Sequence, residues 1–117
     1  MELTGEAGSA AFYVNVDAER IDAAGAIQFK DRFREAVQDS EGRIVLDLSK
    51  VEFLDSSGLG AVVAAMKLLG SDRSLELVGL TPTVEKVFRL TRMDSVFTIH
   101  PDLATALGEA GGRVQAG

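Results

Sequence analysis

Two adjacent serines, Ser56 and Ser57, stand where an apolar segment is followed by a helical pattern that begins with the letters DSSGLG at Asp55. The first N–H groups of a helix have no carbonyl partners within it, and the helix dipole favours an anion at that end. A phosphoryl group on Ser56 would bring about −1.5 to −2 charge and three acceptor oxygens to this position. The same letters also suit a plain N-cap, because Asp and Ser favour it. By itself the segment indicates a helix start first and a phosphorylation site second.

Enzymatic chemistry finds little support in the sequence. His100 is the single histidine and lies far along the chain from the serines, whereas nucleophilic catalysis needs a base beside the hydroxyl. We expect this histidine on the surface or at a sheet edge. The turn is neither a G-x-S-x-G elbow nor a Walker A loop. Asp47 and Asp55 are candidates for a metal pair, but Asp47 interrupts an apolar strand and better suits a strand end. We predict no enzyme activity, metal or cofactor.

The charge and composition of the chain narrow the classes of partner. Its 117 residues favour one domain, and 18 acidic against 12 basic residues give a net charge of −6. That charge disfavours nucleic acid and anionic membranes as partners and favours a protein with a basic patch. The absence of cysteine excludes disulfide and thiolate chemistry. Neither a signal peptide nor a membrane span is indicated, so we expect a cytoplasmic location. We also expect a monomer, because the chain must expose the surface around Ser56.

The elements that must position the serine turn follow from hydrophobic periodicity. Near-continuous apolar runs predict buried strands, apolar residues at helical spacing predict amphipathic helices, and their alternation predicts a layered α/β domain. We predict a domain over residues 10–110, with a flexible N-terminus at 1–9 and a flexible tail at 111–117. The predicted strands span 10–16, 19–21, 43–49, 75–80 and 97–99. The predicted helices follow Asp22, the DSSGLG turn, Thr81 and Pro101.

Over about residues 10–110 the chain resembles the STAS domain of anti-sigma factor antagonists. The most specific part of the match is Ile44–Asp47 followed by Phe53–Gly60. Further support comes from Asp22 before the first long helix, and from Leu80–Val84 with Phe88 and Leu90 in the third. The resemblance implies a single STAS domain, with a mixed β-sheet of about four to five strands packed against about four helices.

The resemblance also assigns roles to residues of the turn. The first hydroxyl residue after the aspartate is the phosphoacceptor in the family, which implies Ser56, with Ser57 tuning access and hydrogen bonding. Asp22 matches an acidic residue near the phosphorylation site, although Glu19-Arg20 departs from the Gly-containing dipeptide usual before it. The implied partner-binding and switch residues are Asp22, Asp55, Ser57, Gly58, Leu59 and Gly60.

A partner-switching mechanism follows from the resemblance. The unmodified antagonist binds a serine-kinase anti-sigma factor of the GHKL type and thereby frees the sigma factor. The kinase, which holds ATP and Mg²⁺ in its own site, phosphorylates Ser56 and the complex weakens, and a PP2C-type phosphatase reverses the modification. The alternative is a STAS regulatory subunit of another complex, such as a lipid-transport ABC system or a non-sigma target. A small α/β enzyme or nucleotide-binding protein is a third hypothesis.

Overall fold

A five-stranded mixed sheet with helices on both faces forms the domain in the computed structural model, which describes residues 1–111. The strands are β1 (Glu2–Ala7), β2 (Phe12–Asp17), β3 (Arg20–Ile21), β4 (Ile44–Asp47), β5 (Phe53–Leu54), β6 (Leu75–Val78) and β7 (Thr98–His100). The helices are α1 (Ala23–Val37), α2 (Ser56–Leu69), α3 (Pro82–Leu90) and α4 (Leu103–Gly111), with a 3₁₀ turn at Met93–Ser95. The main sheet has the order β1-β2-β4-β6-β7, in which only β1 is antiparallel to its neighbour. The predicted fold class is confirmed.

The two faces of the main sheet explain why its central strands read as continuous apolar runs. Along β4, Ile44 and Leu46 enter the core beneath α1 and α2, whereas Val45 faces the smaller cluster beneath α4. A strand covered on both sides needs apolar residues at every position. From α1, Phe29 and Phe33 fill the larger core, with ring centroids 6.0 Å apart.

A second, two-stranded ribbon positions the starts of α1 and α2. Strands β3 and β5 are parallel, with Arg20 opposite Phe53 and Ile21 opposite Leu54. The backbone N–H groups of Glu52 and Phe53 also donate to the carbonyl of Glu19, at 2.7 and 3.1 Å. Each short strand runs directly into a helix, so the ribbon holds two helix N-termini at the same level.

The N-terminal segment differs from the sequence prediction. Residues 1–9 were expected to be flexible, but Glu2–Ala7 forms strand β1 along the edge of the sheet. Pairing with β2 places Leu3 opposite Val16, and Leu3 packs against the core. The strand is therefore held by contacts distant in sequence. At the other end, Gly111 was assigned to the flexible tail but is the last residue of α4, and the remainder of that predicted tail lies outside the described residues.

A buried polar network ties α4 to the sheet. The Arg43 guanidinium donates to both carboxylate oxygens of Glu76, with Nη2 2.8 Å from Oε1, and Nη2 also donates to the carbonyl of Ala106 at 3.0 Å. Nε2 of His100 lies 2.8 Å from Oε1 of Glu76. Burial opposes ionisation of Glu76, but the bonds from Arg43 and His100 outweigh it and hold its pKa below the usual 4.5. His100 lies on the edge strand β7, which is one of its two expected locations, and its side chain is buried there.

Candidate functional site

The start of α2 carries both serines on its exposed side. Asp55 is the N-cap with extended backbone (φ −98°, ψ −171°), and its Oδ1 accepts from the N–H of Gly58 at 3.0 Å. Ser56 and Ser57 are the first two helical residues, and both are exposed. No hydrogen bond of either hydroxyl is found within residues 1–111. Asp55 alone therefore caps the helix through its side chain, and the serine hydroxyls are available to other molecules.

The start of α1 repeats this geometry. Asp22 is its N-cap with φ −103° and ψ −167°, and its Oδ1 accepts from the N–H of Gly25, also at 3.0 Å. The intervening residues are Ala23 and Ala24, so this start has no hydroxyl. Each aspartate immediately follows the paired residues Ile21 and Leu54 of the β3–β5 ribbon. The structure thus brings the two predicted switch carboxylates together at neighbouring helix N-termini.

The two glycines of the DSSGLG turn have different surroundings. Gly58 is buried against β3, and a Cβ atom there would lie 2.1 Å from the carbonyl oxygen of Ile21. Only glycine allows α2 to approach the ribbon this closely. Gly60 is exposed, and a Cβ there would come within 4 Å of no other part of the described chain. Leu59, between them, is half-buried and packs against the core. Of these three predicted partner-binding residues, Gly58 and Leu59 therefore support the fold, and Gly60 faces outward.

An arginine that sequence reasoning noted only as a departure from the family pattern lies in this site. The Arg20 guanidinium carbon is 4.5 Å from the centroid of the Phe53 ring, and Nε is 3.4 Å from Oδ2 of Asp22. The N–H of Gly25 and, after it, Arg20 lower the pKa of Asp22 below its ordinary 3.8. Phe53 is 38% exposed. Arg20 and Phe53 therefore add a guanidinium group and a partly exposed aromatic ring to a surface that otherwise presents carboxylates and hydroxyls.

Two further predictions concern residues beside the site. Thr81 and Pro82 begin α3 as expected, but the Thr81 hydroxyl caps no helical N–H. It donates instead to the carbonyl of Val51 at 2.8 Å, which fixes the start of α3 to the segment leading into β5.

Asp47 ends β4 and accepts from the N–H of Ser49 at 2.8 Å, in agreement with the strand-end role. Over the described residues no group of three His, Cys, Asp or Glu side chains could hold a metal ion.

Comparison with known proteins identifies the family. The model of the STAS domain matches residues 7–106. The chain belongs to the STAS domain family. Within this family it is similar to the anti-sigma-F factor antagonist RsfB of Mycobacterium tuberculosis, with 32% identity over 95 residues that cover 80% of this chain and 78% of the relative. It is also 36% identical over 84 residues to an anti-sigma-B factor antagonist of Listeria monocytogenes, covering 70% and 73% of the two chains.

A solved structure of a similar protein agrees with the fold described above. A crystal structure of an anti-sigma factor antagonist from Mycobacterium paratuberculosis superposes with a TM-score of 0.81 at 30% identity, covering 94% of this chain and 93% of that one. The predicted family is therefore confirmed. Within residues 1–111, no helix combines the length and apolar character required to cross a membrane.

Proposed function

We propose that this STAS protein is an anti-sigma factor antagonist of the cytoplasm and that phosphorylation of Ser56 switches it off. The observation that carries the proposal is the start of α2, where Asp55 supplies the cap and leaves the Ser56 hydroxyl exposed without a hydrogen bond in the described chain. Ser56 is the first residue of the helix, where the backbone N–H groups and the helix dipole favour a phosphate. Phosphorylation can then occur on the folded protein.

The proposed partner of the unmodified form is a serine-kinase anti-sigma factor of the GHKL type, whose capture frees the sigma factor. The kinase transfers the γ-phosphoryl group of its own ATP to Oγ of Ser56, which loses its proton, and ADP leaves. A PP2C-type phosphatase restores the serine by hydrolysis, with release of inorganic phosphate. The kinase and phosphatase supply the active sites, so this chain needs no catalytic base or cofactor.

Phosphorylation would weaken the complex through local charge. The α2 start already lies beside Asp22 and Asp55, which follow the paired ends of β3 and β5. A phosphate on Ser56 adds charge of the same sign and bulk to a surface shaped for an unmodified hydroxyl. Where the phosphate meets an acidic or apolar patch of the partner, the contact loses on the order of several kcal/mol. The fold is retained while the partner is released.

The test uses purified GHKL-type serine kinases from the same cell, each mixed with this chain and Mg-ATP. Intact mass should show one added phosphoryl group on the wild type and none on Ser56→Ala, whereas Ser57→Ala should still be modified. Ser56→Glu should bind the same kinase at least about tenfold more weakly than wild type. Phosphate on Ser56→Ala would falsify the acceptor assignment. Capture of an ABC-type ATPase in place of a kinase would favour the lipid-transport alternative.

A further inference from the structure

A shallow groove runs between α1 and α2 on the face turned away from the sheet. Its volume is about 180 Å³, and its lining residues are Lys30, Phe33, Arg34, Ala64, Ala65 and Leu68. Small-molecule sites usually measure about 300–1,000 Å³, so this groove is too small for a metabolite and suits a single apolar side chain. Leu68 borders it with 49% of its surface exposed. The groove therefore has the size and polarity of a contact point for another protein.

The groove is continuous with the proposed switch surface. Ser57, Gly60, Ala64 and Leu68 follow one another at helical spacing along one side of α2. Gly60 is exposed in the first turns of this helix, where glycine costs about 0.5–1 kcal/mol relative to alanine. Since a Cβ at Gly60 would touch no other part of the described chain within 4 Å, packing among these residues does not require the glycine. An exposed glycine leaves the helix backbone open to close approach by another molecule.

The charges beside the groove indicate what kind of segment it accepts. Lys30 is exposed and has no ion pair with any described residue. Arg34 reaches Asp31 at 3.1 Å, but both side chains remain more than half exposed. These two cations border an apolar groove on a chain with a net charge of −6. Their position is complementary to carboxylates that flank an apolar side chain.

We propose that this groove docks an acidic amphipathic helix of the anti-sigma partner. An apolar side chain of that helix sits against Ala64 and Leu68, its acidic residues meet Lys30 and Arg34, and its backbone passes close to Gly60. Recognition by an apolar side chain in a helical groove is a recurrent mode of protein binding. The inference rests on the proposed function and extends its contact surface from the α2 start to the groove.

The experiment measures the affinity of chain variants for the purified serine kinase that modifies Ser56. Leu68→Glu should weaken binding about tenfold or more, since a charge replaces an apolar contact in the groove. Leu90→Glu is the matched control, because Leu90 is even more exposed, at 70%, but lies on α3. Lys30→Glu should also weaken binding, and its effect should shrink as salt is raised. Arg32→Glu is the control for charge, because Arg32 lies on the opposite side of α1 and pairs with Glu35.

A stability measurement separates docking from folding. Gly60→Ala should raise the midpoint of unfolding and still weaken kinase binding, which no purely structural role of the glycine would produce. Equal losses of affinity from Leu68→Glu and Leu90→Glu, or unchanged affinity in Leu68→Glu, would contradict the docking proposal.

The affinity of Ser56→Glu for the kinase separates failure of the docking proposal from failure of the proposed phosphoswitch. If Ser56→Glu weakens binding and Leu68→Glu does not, the phosphoswitch stands and the docking groove is wrong. If Leu68→Glu weakens binding and Ser56→Glu does not, the groove stands and the switch is wrong. If neither changes the affinity, both proposals fail.

Discussion

The starts of α1 and α2 are built alike and differ in what they present to solvent. Both begin after a strand of the β3–β5 ribbon, and in each an aspartate accepts from the N–H three residues later at 3.0 Å. Two alanines follow the aspartate in α1 and two serines in α2. Because alanines suffice for the α1 start, the helix cap does not explain the serines of α2. The comparison therefore separates the structural role of the turn from its chemistry.

The residue two positions beyond each turn glycine makes a second difference. Ile27 of α1, which is 63% exposed, occupies the place that Gly60 takes in α2. A bulky side chain keeps another protein away from the α1 backbone, whereas Gly60 leaves the α2 backbone open. Similar helix starts thus differ both in their hydroxyls and in how closely a partner can approach.

Moving the hydroxyl from one start to the other tests this comparison most strongly. The double variant Ser56→Ala/Ala23→Ser places a serine at the matching first position of α1. We expect complete loss of phosphate incorporation, because in the proposed complex the kinase contacts α2, and Ile27 would obstruct its approach to α1. Intact mass after incubation with the kinase and Mg-ATP gives the result, with Ala23→Ser alone as the control that should accept one phosphoryl group. Phosphate on the double variant would show that the cap geometry is sufficient for phosphorylation and that the kinase does not recognise the surrounding surface.

Alanine substitution of Gly58 in α2 and of the matching Gly25 in α1 should change the stability of the protein by different amounts. Gly58→Ala forces a Cβ against the Ile21 carbonyl, so we expect the free energy of unfolding to fall by about 1–3 kcal/mol. In Gly25→Ala the nearest atom to the new Cβ is the Met1 Cε, at 3.1 Å, which a flexible side chain can vacate. That variant should be unchanged or more stable by up to about 1 kcal/mol. Urea unfolding of both proteins measures the difference, and equal losses would mean that the two starts pack equally tightly.

The smallest effect expected is a pH dependence at the α1 start. The Gly25 N–H and Arg20 lower the pKa of Asp22 in the folded protein, so the ionised cap stabilises the fold above the ordinary pKa of 3.8. This stabilisation is lost as the pH falls through the lower, folded pKa. Asp22→Asn keeps a capping side chain but cannot titrate, so its stability should fall less steeply on acidification. Thermal unfolding of the wild type and of Asp22→Asn, measured as the pH falls through the folded pKa of Asp22, compares their stabilities. Parallel dependence of stability on pH would show that the Asp22 carboxylate is not a cause of the acid destabilisation. Glu76, whose pKa is also lowered, contributes the same pH dependence to both proteins.

Local sequence patterns predicted the elements that form the site. The letters DSSGLG and the aspartate before the α1 pattern indicated both caps, and the structure has Asp22 and Asp55 in those positions. The apolar runs of β4 and β6 are visible because both faces of these strands are buried. These signals survive in one sequence because caps and buried strands restrict residue type within a few positions.

Features that depend on distant contacts were missed. Strand β1 contains one large apolar residue, Leu3, and its position follows from pairing with β2. The burial of His100 depends on Glu76, which is 24 positions away in sequence. A charged residue inside the apolar run Leu75–Val78 was the available signal for a buried ionic partner. The register of the β3–β5 ribbon, which places the two caps side by side, has no local signature in strands of two residues.

The edge position of β1 has a consequence for self-association. Glu2 and Glu6 point to the same side of this exposed strand, two residues on either side of Thr4. If two copies paired through β1 in antiparallel register about Thr4, each Glu2 would face the Glu6 of the other copy. Opposed like charges destabilise such a pair, and acidic or basic edge residues are a common protection against sheet extension and aggregation. This edge can thus stay uncovered without becoming a template for fibre growth.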